Sequence, residues 1–141
     1  MANRGNEVIS GTNGVIWVNG QQWADVTAFE AKLTAKFEDV EFCDDYATYK
    51  VYQGRTGEGT VTLNKTQSRG AKIMADAFKT GVMPDIKIIT KIENKQNGKA
   101  ERAVVKDVVF SEFHLAKFEN RANLTEELPF SFSDYDFIEM I

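Results

Sequence analysis

The stretch TAFEAKLTAKFE, Thr27 to Glu38, constrains this chain more than any other, because it fits two periods at once. With period two, Phe29, Ala31, Leu33, Ala35 and Phe37 fall on one side and Glu30, Lys32, Thr34, Lys36 and Glu38 on the other. With helical spacing, Phe29, Leu33 and Phe37 also line up, and Ala, Leu, Lys and Glu are all good helix formers. Two features favour a strand. No Gly or Pro follows Glu38 until Gly54, so a helix would lack a stop signal. The alternation also extends outward, through Trp23 and Val26 before the stretch (with one phase change) and Val40 and Phe42 after it. Such a strand exceeds the usual five or six residues, and one apolar side of that length needs a partner surface.

A chain of 141 residues suits one domain, 1–141, that buries roughly two-thirds of its unfolded surface; the N-terminal segment of about 1–13 is expected to be flexible. The net charge of −4 argues against a grip on nucleic acid or an anionic membrane, which needs clustered Lys and Arg. Cys43 is the only cysteine, so no internal disulfide forms and a reducing compartment is expected. MANRGNEVISGTNG has no apolar core of a secretion signal, and no later run is long enough to span a bilayer. The expectation is a protein made and assembled in a cytoplasm, with no membrane insertion.

Asn-Gly pairs at Asn13-Gly14, Asn19-Gly20 and Asn97-Gly98 suit type I′ hairpin turns. Val15–Val18 enters the second pair and Trp23 leaves it. Ile86–Ile92 leads through the third into a strand over Ala103–Phe110. Tyr46–Tyr52 and Thr60–Asn64 read as a further hairpin around the GRTGEG turn. Leu128, Phe130 and Phe132 alternate with polar residues, after which Tyr135 and Phe137 take the opposite parity, the mark of a bulge or bend. One helix is predicted, about 69–80, with Ser68 as N-cap, Ile73, Met74, Ala77 and Phe78 as the core face, and Gly81 as the stop. The predicted fold class is mostly β (α+β): a twisted antiparallel β-sandwich or barrel with one flanking helix.

Reactive groups are scarce. His114, between Phe113 and Leu115, reads as a structural position on a strand, and Cys43 as a passive thiol. GRTGEGT lacks the GK[ST] ending of a phosphate loop, and its glycines read as turn residues. EDVEFCDD lacks the alternating acids and central Gly of a calcium loop. No catalytic set, metal site or cofactor is therefore assigned. In the acidic run Glu38, Asp39, Glu41, Asp44 and Asp45 surround Val40 and Phe42, which reads either as a solvated loop or as a contact element.

The order of SGTNGVIWVNGQQWADVTAFEAKL, then GRTGEGTVTLNK, KTGVMPDIKI, IITKIEN and ELPFSFSDYDF resembles the tail tube protein of contractile-tailed phages, defective prophages and R-type bacteriocins over nearly the whole chain. The resemblance implies a structural subunit, not an enzyme, that closes into hexameric rings stacked as a hollow conduit. It implies that the strand bearing Phe29, Ala31, Leu33, Ala35 and Phe37 is completed by neighbouring subunits, and that the loop Glu38 to Tyr46 reaches the adjacent ring. Its implied partners are further copies, the tail sheath, the baseplate and the tape-measure protein, with DNA only as passing cargo. Two alternatives stand beside it: a type VI secretion tube subunit, and a stand-alone β-barrel whose Trp17, Trp23, Tyr46, Tyr49 and Tyr52 line a ligand pocket.

Overall fold

The computed structural model describes residues 11, 14–95 and 98–140. The expected flexible segment, apart from Gly11 at its end, and the residues Asn13 and Asn97 lie outside the described residues.

Two antiparallel sheets face each other across the core. The first contains β1 (Gly14–Val18), β2 (Gln21–Gln22), β5 (Ile88–Asn94), β6 (Lys99–Lys106) and β9 (Asp134–Glu139), in the order β2-β1-β5-β6-β9. The second contains β3 (Val26–Glu41), β4 (Thr48–Asn64), β7 (Val109–Phe110) and β8 (Thr125–Phe132), in the order β3-β4-β8-β7. Asn19 and Gly20 both take positive φ, 50° and 85°, so β1 and β2 are joined by the tight turn their sequence predicts.

Ile16, Val18, Ile88 and Val105 from one sheet meet Val61, Leu63, Leu128 and Phe130 from the other. Val61, Leu63, Ile88 and Leu128 are fully enclosed, each contributing about 1.5–3 kcal/mol relative to exposure. The helix α1 (Arg69–Thr80) adds Met74 and Ala77 to this core and half-buries Ile73. Gly81 ends it in the left-handed conformation, its N–H donating to the Ala77 carbonyl.

Four expectations are corrected. Tyr46–Asn64 is not a hairpin around GRTGEG: β4 runs unbroken from Thr48 to Asn64. Its Gly57 and Gly59 lie in mid-strand beneath the rings of Phe132 and Phe130, where a Cβ at Gly57 would come within 2.6 Å of the Phe132 ring. These glycines are there to leave room for aromatics, which a sequence cannot distinguish from turn glycines when the partner residues are more than seventy positions away. Ala103–Phe110 is not one strand, because Asp107 (φ 53°) turns the chain from β6 in one sheet to β7 in the other. Ser68 makes no side-chain cap bond. Phe78, placed on the core face, is 44% exposed and rests on Phe113 at 5.3 Å instead. The parity flip after Phe132 is a change of sheet: β8 ends, and β9 pairs with β6.

Candidate assembly surface

β3 and β4 pair along almost their whole length, from Val26↔Leu63 to Glu41↔Thr48. β8 covers only part of that length, ending where Phe132 stands opposite Gly57. Beyond this point Thr34–Glu41 and Thr48–Thr56 form a two-stranded ribbon with no third strand among the described residues, extending roughly 30 Å at about 3.3 Å per residue. Among the described residues no strand pairs with the outer edge of β3. An isolated pair of strands is marginal in water, and a long free edge invites further pairing.

Register places Phe29, Ala31, Leu33, Ala35 and Phe37 on one face, opposite Val61, Gly59, Gly57, Arg55 and Tyr52. This is the core face of the sheet, carried outward. Phe29 is half-buried and stacks on Phe130 at 5.8 Å. Farther out the cover disappears: Leu33 is 40% and Phe37 54% exposed, with Phe37 touching Tyr52 edge-on at 5.9 Å. One residue of β4, Gln53, bulges between the Lys36↔Gly54 and Phe37↔Tyr52 pairs, and Gly54 accommodates the kink with φ 143°.

The acidic segment is not a loop from Glu38 onward. Glu38, Asp39, Val40 and Glu41 are the last residues of β3, and Asp39 is paired with Lys50 across the ribbon. Only residues 42–47 connect the strands. Asp45 holds that turn, accepting from the Tyr49 hydroxyl at 2.6 Å and the Ala47 N–H at 2.9 Å. These two bonds, Tyr49 first, hold the Asp45 carboxyl below its ordinary value, and the same bond pushes the Tyr49 phenol up. Asp44 takes φ 63°. At this tip the apolar residues change face: Val40 lies opposite Tyr49, on the side away from the core, and Phe42 contacts Tyr49 at 5.7 Å while 60% exposed.

That opposite face of the sheet is polar. Its strand positions carry Glu30, Glu38, Glu58 and Glu127 against Lys32 and Lys36, four negative and two positive charges, a net of −2.

Two ionic contacts near the helix escaped sequence reasoning. The Arg69 Nε donates to Asp25 at 2.9 Å while its guanidinium lies 5.2 Å above the Trp23 ring, and Thr66 donates to the same carboxylate. Burial pushes the Asp25 carboxyl up, but the bonds from Arg69 and Thr66 outweigh it and hold the group below its ordinary value. Glu126 is 1% exposed, bound by Lys65 at 2.9 Å and pressed against Gly70 in the first helical turn, which has no acid of its own. A negative charge is favourable there. Its parity with Leu128, Phe130 and Phe132 was a legible sign of burial.

The residues of a ligand pocket do not converge. Trp23 is buried against Phe110, whereas Tyr46, Tyr49 and Tyr52 stand exposed on the ribbon. No cluster of His, Cys, Asp or Glu among the described residues could hold a metal, and Cys43 is exposed at the ribbon tip while His114 lies in the 111–124 connection.

An apolar arm left exposed among the described residues is a surface suited to contact with another chain. Solved structures share the fold: a chain of the sheath–tube complex of an extracellular contractile injection system in the extended state matches with TM-score 0.77 at 6% identity, over 99% of this chain and 100% of that one. A chain of the sixfold-symmetrised anti-feeding prophage baseplate matches with TM-score 0.62 at 6% identity, over 89% and 91%. Phage-like element PBSX protein XkdM of Bacillus subtilis strain 168 is 29% identical over the whole chain and 97% of its own length. The phage tail tube protein family model matches residues 1–139, and the chain belongs to that family. It is a structural tail tube subunit of a phage tail or phage-like particle.

Proposed function

We propose that this subunit closes into hexameric rings through the apolar ribbon face and that the rings stack into a tube. The observation that carries the reading is the continuation of the core face to and past the end of β8, where Leu33, level with Phe132, and Phe37, beyond it, lie exposed with nothing among the described residues to cover them. Within a ring Phe29, Ala31, Leu33, Ala35 and Phe37 meet a neighbouring copy. Val40 and Phe42, on the other face, meet the next ring together with the acids of the tip, Glu38, Asp39, Glu41, Asp44 and Asp45. The polar face lines the conduit. Its net −2 per subunit keeps a polyanion such as DNA from adhering, so DNA or other anionic cargo passes without specific binding. The sheath surrounds the tube, the baseplate ends it, and a tape-measure protein sets its length. Assembly takes place in the bacterial cytoplasm, and the protein acts by geometry instead of turnover. The similar chains taken from sheath–tube and baseplate particles support the sheath and the baseplate as partners. Negative-stain microscopy of the purified protein across a concentration series tests the reading: rings or rods are expected, and a monomer at every concentration and salt would overturn it.

A further inference from the structure

We propose that the outer ribbon is a hinged strap, which in the free subunit folds inward onto β9 and shields its own aromatic residues until another copy replaces that contact. The replacement step rests on the tube-subunit reading; the hinge does not. The pivot is the bulge at Gln53 and Gly54. Register shifts there between Lys36↔Gly54 and Phe37↔Tyr52, and Gly54 takes φ 143° with no atom beyond its chain neighbours within 4 Å of the place a Cβ would occupy. Glycine has a freedom at such a φ that other residues lack, and a bulge lets a ladder bend without breaking it. Beyond the pivot no third strand among the described residues holds the ribbon, because β8 ends opposite Gly57. Inside it, Arg55 fixes the root through the Ser133 carbonyl and the Tyr135 ring. Fixed root and free arm thus adjoin at Gly54 and Arg55.

The landing surface is on the other sheet. Tyr135 and Phe137 stand opposite Val105 and Ala103, and Val105 is buried in the core, so both rings project from the core-facing side of β9. Phe37 and Tyr52 project from the core-facing side of the second sheet. Each pair is packed within itself, Phe37 on Tyr52 at 5.9 Å and Tyr135 on Phe137 at 6.3 Å. Each is also open to water: 54% and 55% exposed on the ribbon, 37% and 48% on β9. Arg55 lies over Tyr135 and stands just inside the pivot from Tyr52, so the two pairs flank one anchored residue. A cleft of about 580 Å³ at the ribbon root, lined by Tyr52 and residues 54–58 and 131–133, gives the pivot room. Closing the hinge removes both aromatic pairs from water and sets ring against ring. The strap moves as a unit, because the pairing from Phe37↔Tyr52 to Glu41↔Thr48 needs no rearrangement. Folded-in and extended forms are two packings of one chain, and a second copy shifts the balance by covering the ribbon face better than β9 does.

Electron-spin distance measurements test the hinge in dilute, unassembled protein. Spin labels at Tyr46→Cys, at the tip, and Lys117→Cys, in the connection between β7 and β8, are placed on a Cys43→Ser background. The free subunit should show two distance populations, the shorter by at least about 10 Å, since the arm is roughly 30 Å long at about 3.3 Å per residue. One narrow distance, the same in free subunit and in rings, would overturn the proposal. Phe137→Ser, at an exposed position, removes half of the landing surface. It should deplete the shorter distance and let rings appear at a concentration at least about threefold lower than for wild type. Unchanged or slower assembly by this variant, still melting cooperatively, would overturn the shielding role and leave the tube reading standing. Absence of rings from the wild type would overturn the tube reading itself, and the shorter distance, with its loss in Phe137→Ser, would still decide the fold-back.

Discussion

Arg55 holds its guanidinium 5.6 Å from the centre of the Tyr135 ring, which joins the root of the ribbon to the first strand beyond the sheet change. The same side chain donates to the Ser133 carbonyl at 3.2 Å, and the Ser133 hydroxyl donates to Asp107 at the other crossing between sheets. Three chain segments far apart in sequence are thus fastened at one point, two residues from the Gln53 bulge. Arg55→Ala should cost about 1 kcal/mol of stability, as expected for an exposed cation–aromatic contact with one hydrogen bond. Its clearer effect should be local. Amide hydrogen exchange should accelerate over residues 48–53 and 34–39 while the rates at Val61 and Leu128 stay as they were; uniform acceleration would contradict the fastening role.

Gly59→Ala should destabilise the fold by about 1–3 kcal/mol, because the added Cβ would overlap the Glu30 carbonyl and the Phe130 ring, neither of which can yield freely. Thermal or urea unfolding measures this. A neutral result would mean that the ring is not seated over the strand.

Asp25 supplies a pH dependence of definite sign. Its folded carboxyl lies below the ordinary value of 3.8, so its contribution to stability is present above that value and is lost as pH falls through the depressed folded value. The stability difference between wild type and Asp25→Asn should therefore be largest near neutrality and shrink on acidification through the carboxylate range. Urea midpoints at a series of pH values provide the check, and a difference independent of pH would contradict the assignment.

Much of this architecture was legible because period-two patterning reports burial directly. The long strand, the Asn19-Gly20 turn and the helical span each follow from local chemistry. The β4 strand was not legible, since Gly54, Gly57 and Gly59 signal a turn unless one knows that Phe130 and Phe132 lie over two of them. Nor was the extent of the acidic turn, because Glu38, Asp39 and Glu41 are polar for reasons of exposure, not of loop geometry. The Asp25–Arg69 pair joins residues 44 apart, and no local pattern marks such a contact.

Phe42→Ser should leave ring closure intact and reduce stacking, since Phe42 and Val40 stand at the tip on the face opposite Leu33 and Phe37. Raising salt should weaken stacking in the same direction, because exposed charge pairs are screened. Counting rings against rods in micrographs measures it. Wild-type rod lengths from the variant would show the tip to be a solvated turn.

The central claim is that the outward continuation of the core face holds neighbouring subunits together, and sedimentation velocity of wild type beside Leu33→Asp tests it most directly. Leu33 is 40% exposed in the single chain, so its replacement should leave the monomer folded, with a melting temperature close to wild type. In an assembled ring the same carboxylate would be buried without a partner, at a cost of several kcal/mol per interface. Wild type should sediment as ring-sized or larger species and Leu33→Asp as a folded monomer; equal assembly by the two proteins would contradict the account.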